Sequence, residues 1–168
     1  MRTLTTMLAM LLLTAAAGCQ PARPAADEGF AVGAVNQGLL LGVNLPGRYF
    51  ARGDTVPLTL LARNVTDRDM VIHADSGALV YVRLARHTSM AWQEVKRFPA
   101  AAVTVARDWK LPAGGSHKFV MNLDVTPDWP TGEPLRLTAE LNGRDDVQPA
   151  ALIEVFATPE ECDRRKAY

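Results

Sequence analysis

Val56-Pro-Leu-Thr-Leu-Leu-Ala-Arg-Asn64, VPLTLLARN, puts Val56, Leu58, Leu60 and Ala62 on one side of an extended chain. Pro57, Thr59 and Arg63 fall on the other. Period-two alternation marks a strand with one face against a core, because successive side chains of an extended backbone leave opposite faces. Pro57 has no amide hydrogen to give to a ladder, which places it at the start of the strand or on a sheet edge. The run stops at Asn64-Val-Thr-Asp-Arg-Asp69, a turn composition in which Asn and Asp bond their own backbone.

The same grammar repeats in both directions. Residues 39–45, 70–74, 79–84, 91–97, 102–106 and 150–156 are short strand-like runs. Phe119, Met121, Leu123 and Val125 alternate with Lys118, Asn122 and Asp124, and Leu135, Leu137, Ala139 and Leu141 with Arg136, Thr138 and Glu140. Pro112-Ala-Gly-Gly-Ser116 is a strong turn signal, and Asn142-Gly143 opens another. No long amphipathic helix interrupts the series. The pattern predicts an all-β fold, an antiparallel immunoglobulin-like (Ig-like) β-sandwich of about seven to nine strands over residues 39–157. A charged tail follows at 158–168, where Thr158-Pro159-Glu160-Glu161 sets a capping threonine, an N1 proline and an N3 glutamate in order for a short C-terminal helix. Its acids fall at the positive end of the helix dipole and Arg164, Arg165 and Lys166 at the negative end.

Ahead of this domain the chain changes character. Met1-Arg2 is positive, Met7-Leu-Ala-Met-Leu-Leu-Leu13 is apolar, and Ala15-Ala-Ala-Gly18 is a small-residue exit. These are the three parts of an export signal, with an apolar core far short of the roughly 20 residues that span a bilayer. Ala16-Ala17-Gly18-Cys19 resembles the lipobox of bacterial lipoprotein precursors, with Ala16 where leucine is usual. The resemblance implies a lipoprotein signal peptide at 1–18 and cleavage before Cys19. It makes Cys19 the lipid-attachment residue, its thiol carrying a diacylglycerol anchor with acyl chains such as palmitate. Gln20 stands where an aspartate retains some lipoproteins in the inner membrane, so the resemblance favours the outer membrane and a cell-envelope location facing the periplasm or outside. Residues 19–38, rich in Ala, Pro and Gly without periodicity, read as a flexible tether.

An acylated Cys19 leaves Cys162, the second of two cysteines, without an intramolecular partner. The inert thiol is favoured over an intermolecular disulfide in an oxidising compartment, since no nearby base in sequence activates it. The 18 basic and 18 acidic residues balance, which removes the electrostatic footprint of nucleic-acid binding.

Chemistry-bearing motifs are sparse. His73, His87 and His117 lack the short spacing of metal ligands. Ser76, Ser89 and Ser116 lie outside any nucleophile elbow. Asp67, Asp69, Asp145 and Asp146 sit in turn compositions, as does the Arg52-Gly-Asp54 tripeptide. No catalytic residue, metal ligand or cofactor is expected. Trp109 in RDWKL and Trp129 in PDWPTG fall in loops or strand ends. An exposed pair there would be a binding platform, weighed against the reading in which both rings plug the ends of the sandwich.

VPLTLLARNVTDRDMVI, LPAGGSHKFVMNLD and PTGEPLRLTAEL together resemble, in pieces, the intracellular proteinase inhibitor (BsuPI-like) family and related bacterial Ig-like domains. The resemblance implies the sandwich fold. It departs at Leu123 and near Leu135, where the family carries aromatic residues, and no inhibitory residue is carried over. The expected protein is thus a lipid-anchored, non-enzymatic envelope lipoprotein that binds a protein partner through loops and sheet edges. The alternatives are an envelope protease inhibitor acting through RHTSMAWQE or TPDWPTGEP, and a periplasmic metal or ligand carrier.

Overall fold

The computed structural model describes residues 31–32, 35–74, 78–99 and 107–167. Within them the alternating runs become strands of two packed sheets. β1 (Ala31–Val32), β2 (Leu39–Asn44), β4 (Thr55–Asn64) and β9 (Ser116–Asp124) form one, in the order β1-β2-β4-β9. The second runs β3-β11-β10-β6-β7, from β3 (Tyr49–Ala51), β11 (Ala150–Phe156), β10 (Pro134–Leu141), β6 (Val80–His87) and β7 (Trp92–Phe98). β5 (Met70–Ala74) and β8 (Arg107–Leu111) pair as a small third sheet. All ladders are antiparallel except β11 with β3, where Val155 lies parallel to Phe50.

The sandwich exists because each long strand has one apolar face to bury. Val56, Leu58, Leu60 and Ala62 of β4 are fully buried, as are Leu135, Leu137 and Ala139 of β10. They share one core with Leu41 of β2, Leu84 of β6, Val155 of β11, and Ile72 and Leu111 of the small sheet. Each valine, leucine or isoleucine among them contributes about 1.5–3 kcal/mol when taken from water. The fold is the expected all-β sandwich, with more strands than expected: eleven among the described residues. β1 pairs with β2 through Ala31 and Val32, so the sheet begins ahead of Leu39, inside the stretch read as tether. β3 spans only three residues, too few to show a period. β8 takes up RDWKL, with Trp109 opposite Ile72. The expected strand at 102–106 and the segment around Cys19 lie outside the described residues.

Pro57 sits within β4 between two neighbours, but the β2 ladder ends where Asn44 meets Thr59. At Pro57 only β9 is alongside, through Asn122. The proline is therefore at the strand's start and on a local edge, where a missing N–H costs least. α1 (Pro159–Lys166) forms as expected, with the Thr158 side chain accepting from the Glu161 amide at 3.3 Å. It rests on β3 and β11 and buries Cys162 to 1 % exposure. Arg165 completes the docking, 3.8 Å from Glu154 and over the Tyr49 ring.

Candidate functional site

The alternation that buries Leu135, Leu137 and Ala139 turns Arg136, Thr138 and Glu140 to the outer face of the five-stranded sheet. Register then decides their neighbours. On β6, Ala85 lies opposite Arg136, Arg83 opposite Thr138 and Tyr81 opposite Glu140. On β7, Arg97 lies opposite Arg83, and a register shift between Leu84 and Ala85 brings Glu94 opposite Ala85. Leu152 of β11 flanks Arg136 on the other side.

These side chains enclose a concavity of about 190 Å³. Arg83, Trp92, Glu94, Arg136 and Gln148 form its walls, with Thr138 and Ala85 at its base. Thr138 is only 5 % exposed although it faces outward, because the longer side chains around it shield it.

The charges in this concavity are unequally satisfied. Arg83 pairs with Glu140, and its Nη2 donates to Gln148 Oε1 at 2.8 Å. Its Nε is buried without a hydrogen-bond partner among the described residues. Arg97 donates to Glu94 at 3.2 Å, and that bond, ahead of all other influences, holds the Arg97 guanidinium above its ordinary pKa. Arg136 has no carboxylate partner among the described residues; its guanidinium lies 5.8 Å from the centroid of the Trp92 ring. A cation over an aromatic face is held by the ring quadrupole without losing its charge. His87 packs edge-on against the same ring at 5.2 Å. The arrangement presents one oriented, unneutralised guanidinium at the mouth of a small polar hollow. Such a group recognises planar anions through paired N–H donors.

The residues expected to bind are elsewhere. Trp129 is 1 % exposed and packs 5.7 Å from Phe98, so it is a core plug and not a platform. Trp109 is half-buried, in an aromatic cluster with Phe119 at 5.4 Å and His117 at 5.6 Å. Neither lines the concavity. Trp92 does, and nothing in its local sequence distinguishes it from a buried strand residue. Its role follows from cross-strand register with β6 and β10, which no single run of residues encodes.

The other polar residues keep structural company. His73 Nδ1 lies 2.5 Å from Asp108 Oδ1, while His87 and His117 stack on aromatic rings. Among the described residues no three His, Cys, Asp or Glu side chains gather to hold a metal ion. Arg52-Gly-Asp54 is a turn in which Asp54 Oδ2 accepts from the Ala51 amide at 2.8 Å. TPDWPTGEP is tied down, with Lys96 Nζ bonded to Thr126 at 2.9 Å and to Asp128 at 2.9 Å. RHTSMAWQE instead forms a tight turn, closed by the Thr88 side chain donating to the Ala91 carbonyl at 2.8 Å, that leaves Met90 95 % exposed. No helix among the described residues is long and apolar enough to cross a membrane.

No protein-family model matches the chain, and no curated protein matches its sequence. Among solved structures it is similar to the sporulation control protein Spo0M from Bacillus subtilis, with a TM-score of 0.49 and 15% identity. That match covers 74% of this chain and 51% of Spo0M. A β-glucosidase from Listeria innocua in complex with glucose aligns at a TM-score of 0.43 and 14% identity, over 71% of this chain and 16% of the enzyme. A Paenibacillus cycloisomaltooligosaccharide glucanotransferase aligns at 0.45 and 13%, over 69% of this chain and 14% of the enzyme. The chain thus spans about half the length of the first and about a sixth of the enzymes. Likenesses this distant concern backbone only, and no activity of those proteins is carried over.

Proposed function

We propose that this protein is a lipid-anchored lipoprotein of a bacterial cell envelope whose sandwich is a non-enzymatic binding module. The observation that carries the binding half is the Arg136 guanidinium over Trp92, a charged group oriented but not neutralised, beside a concavity. Keeping such a side chain in place without an ion-pair partner gives little to folding and suits recognition of an outside group. The anchoring half is supported by Ala16-Ala17-Gly18-Cys19 and the signal-like residues before it. The partner under this reading is a protein, met by the outer face of the five-stranded sheet. The favoured location is the outer membrane.

Fractionation tests the anchor. The wild-type chain is expected to partition into detergent extracts of membranes and to incorporate a labelled fatty acid. Cys19→Ser is expected to partition into the aqueous fraction and to incorporate none. Equal partitioning of the two forms refutes the anchor.

A second reading, an envelope protease inhibitor, is favoured by one feature, the closed turn that holds Met90 out into solvent. A rigid protruding loop is what a protease groove accepts. Stoichiometric inhibition of an envelope protease, abolished by Met90→Asp, would establish it, and full protease activity in excess protein would dismiss it.

A further inference from the structure

We infer that the concavity beside Arg136 receives a single carboxylate side chain from an acidic segment of a protein partner, with an apolar neighbour of that carboxylate resting on Leu152. The inference deepens the binding-module reading and rests on it. Three observations define the occupant.

The first is charge. Of the charged groups around the hollow, Arg83 is engaged by Glu140 and Gln148, and Glu94 by Arg97. Arg136 remains as a cation over the Trp92 ring, with no ion-pair or hydrogen-bond partner among the described residues. A carboxylate arriving there gains a charge-assisted, bidentate partner and breaks no existing ion pair. Arg83, which lines the same hollow, keeps its Nε buried without a hydrogen-bond partner among the described residues.

The second is size. About 190 Å³ is well below the roughly 300–1,000 Å³ of hollows that enclose a whole small-molecule ligand. It suits the end of one side chain whose remainder lies on a surface outside.

The third is the surround. Leu152, beside Arg136 in register, is 45% exposed, and Met90 stands 95% exposed at the tip of the hairpin that carries Trp92. Arginine, tryptophan and methionine are enriched at protein interfaces. An exposed leucine next to an unpaired arginine matches a partner segment in which an acidic residue sits beside apolar ones. Charge complementarity of this kind sets specificity and register.

The test uses the full chain in its Cys19→Ser form, so that it does not depend on lipid. The indole N–H signals of Trp92, Trp109 and Trp129 are followed by NMR during titration with acetyl-Leu-Glu-Leu-amide, its Gln counterpart and D-glucuronate. The Glu peptide is expected to move the Trp92 signal to saturation while Trp109 and Trp129 stay in place. The Gln peptide should bind about tenfold or more weakly. Arg136→Gln should lower Glu-peptide affinity by a similar factor. Arg136→Lys, which keeps the charge but loses the fork, should fall between. Unmoved Trp109 and Trp129 signals in both variants report an intact fold. Equal affinity for the Glu and Gln peptides overturns the carboxylate while leaving a binding face in place. Tighter binding of D-glucuronate than of the peptide overturns the protein partner in favour of a sugar acid. A Trp92 signal unmoved by all three overturns the inference and removes the support for the binding module as well.

Discussion

The Asn64 side chain reaches across the end of the sandwich to Leu111, its Nδ2 lying 3.1 Å from the Leu111 carbonyl oxygen. The same amide nitrogen donates to the carbonyls of Pro112 at 3.0 Å and Arg68 at 2.7 Å, while Oδ1 accepts from the Thr66 amide and hydroxyl. One fully buried carboxamide thereby joins the turn after β4 to the turn before β9. Asn64→Ala strands these buried groups and is expected to cost about 3 kcal/mol. A urea unfolding curve of the variant checks this; a shift below about 1 kcal/mol would show that water replaces the carboxamide.

Gly143 opens the turn after β10 with φ +81, and a Cβ at this position would lie 2.1 Å from the His73 carbonyl oxygen. Both the left-handed backbone and the close approach exclude a side chain. Gly143→Ala is expected to destabilise by about 2–4 kcal/mol because the turn and β5 must separate. Thermal melting of the variant measures it. Gly53, also at positive φ, has open space around its Cβ position, so Gly53→Ala should cost only the backbone strain.

Arg144 joins three segments, bonding Asp146 at 2.8 Å, the Asn36 carbonyl at 2.7 Å and the Met70 sulfur at 3.6 Å. The Arg144 hydrogen bond holds the Asp146 carboxyl below its ordinary pKa. A carboxylate whose folded pKa is lowered adds stability above its unfolded pKa and loses it as pH falls through the folded value. The stability difference between wild type and Asp146→Asn should therefore be full at pH 7 and shrink below about pH 4. A difference that stays constant across that range would show that the pair does not titrate with folding.

Cys162 lies on the face of α1 that is buried against β3 and β11, and Thr158 caps that helix. Iodoacetamide should leave Cys162 unmodified in the native Cys19→Ser chain and modify it fully in denaturant, since access precedes thiolate chemistry. Thr158→Ala should cost about 1 kcal/mol and make native labelling faster. Rapid labelling of the native chain would show that the helix opens freely.

Trp129 fills the core beside Phe98, with an indole N–H that finds no partner among the described residues. Trp129→Ala should cost about 3–5 kcal/mol through the cavity it leaves. Trp129→Phe should cost distinctly less, because it removes an unsatisfied donor along with part of the ring. Equal losses in the two variants would mean that the N–H is satisfied in solution.

How much of this was legible beforehand divides along one physical line. VPLTLLARN, FVMNLDV and LRLTAEL announce their strands because burial on one face imposes period two on consecutive residues. The cap Thr158-Pro159-Glu160-Glu161 is equally local, since a helix start is satisfied by the residues that begin it. β3 and β8 carry no such signal for the opposite reason: three residues are too few for a pattern, and RDWKL becomes a strand only because β5 offers it a ladder.

By itself, then, the sequence determined which residues face inward, where the chain turns, and the small-residue run before Cys19, all properties of neighbours along the chain. Only the tertiary structure decided that Trp129 is core, that Trp109 sits among Phe119 and His117, and that Trp92 meets Arg136. That last meeting depends on how β7 and β10 align on either side of β6, including the register shift at Ala85. Alignment between strands is set by the packing of the whole core, so residues 44 positions apart can share a site that neither one's surroundings in sequence foretell.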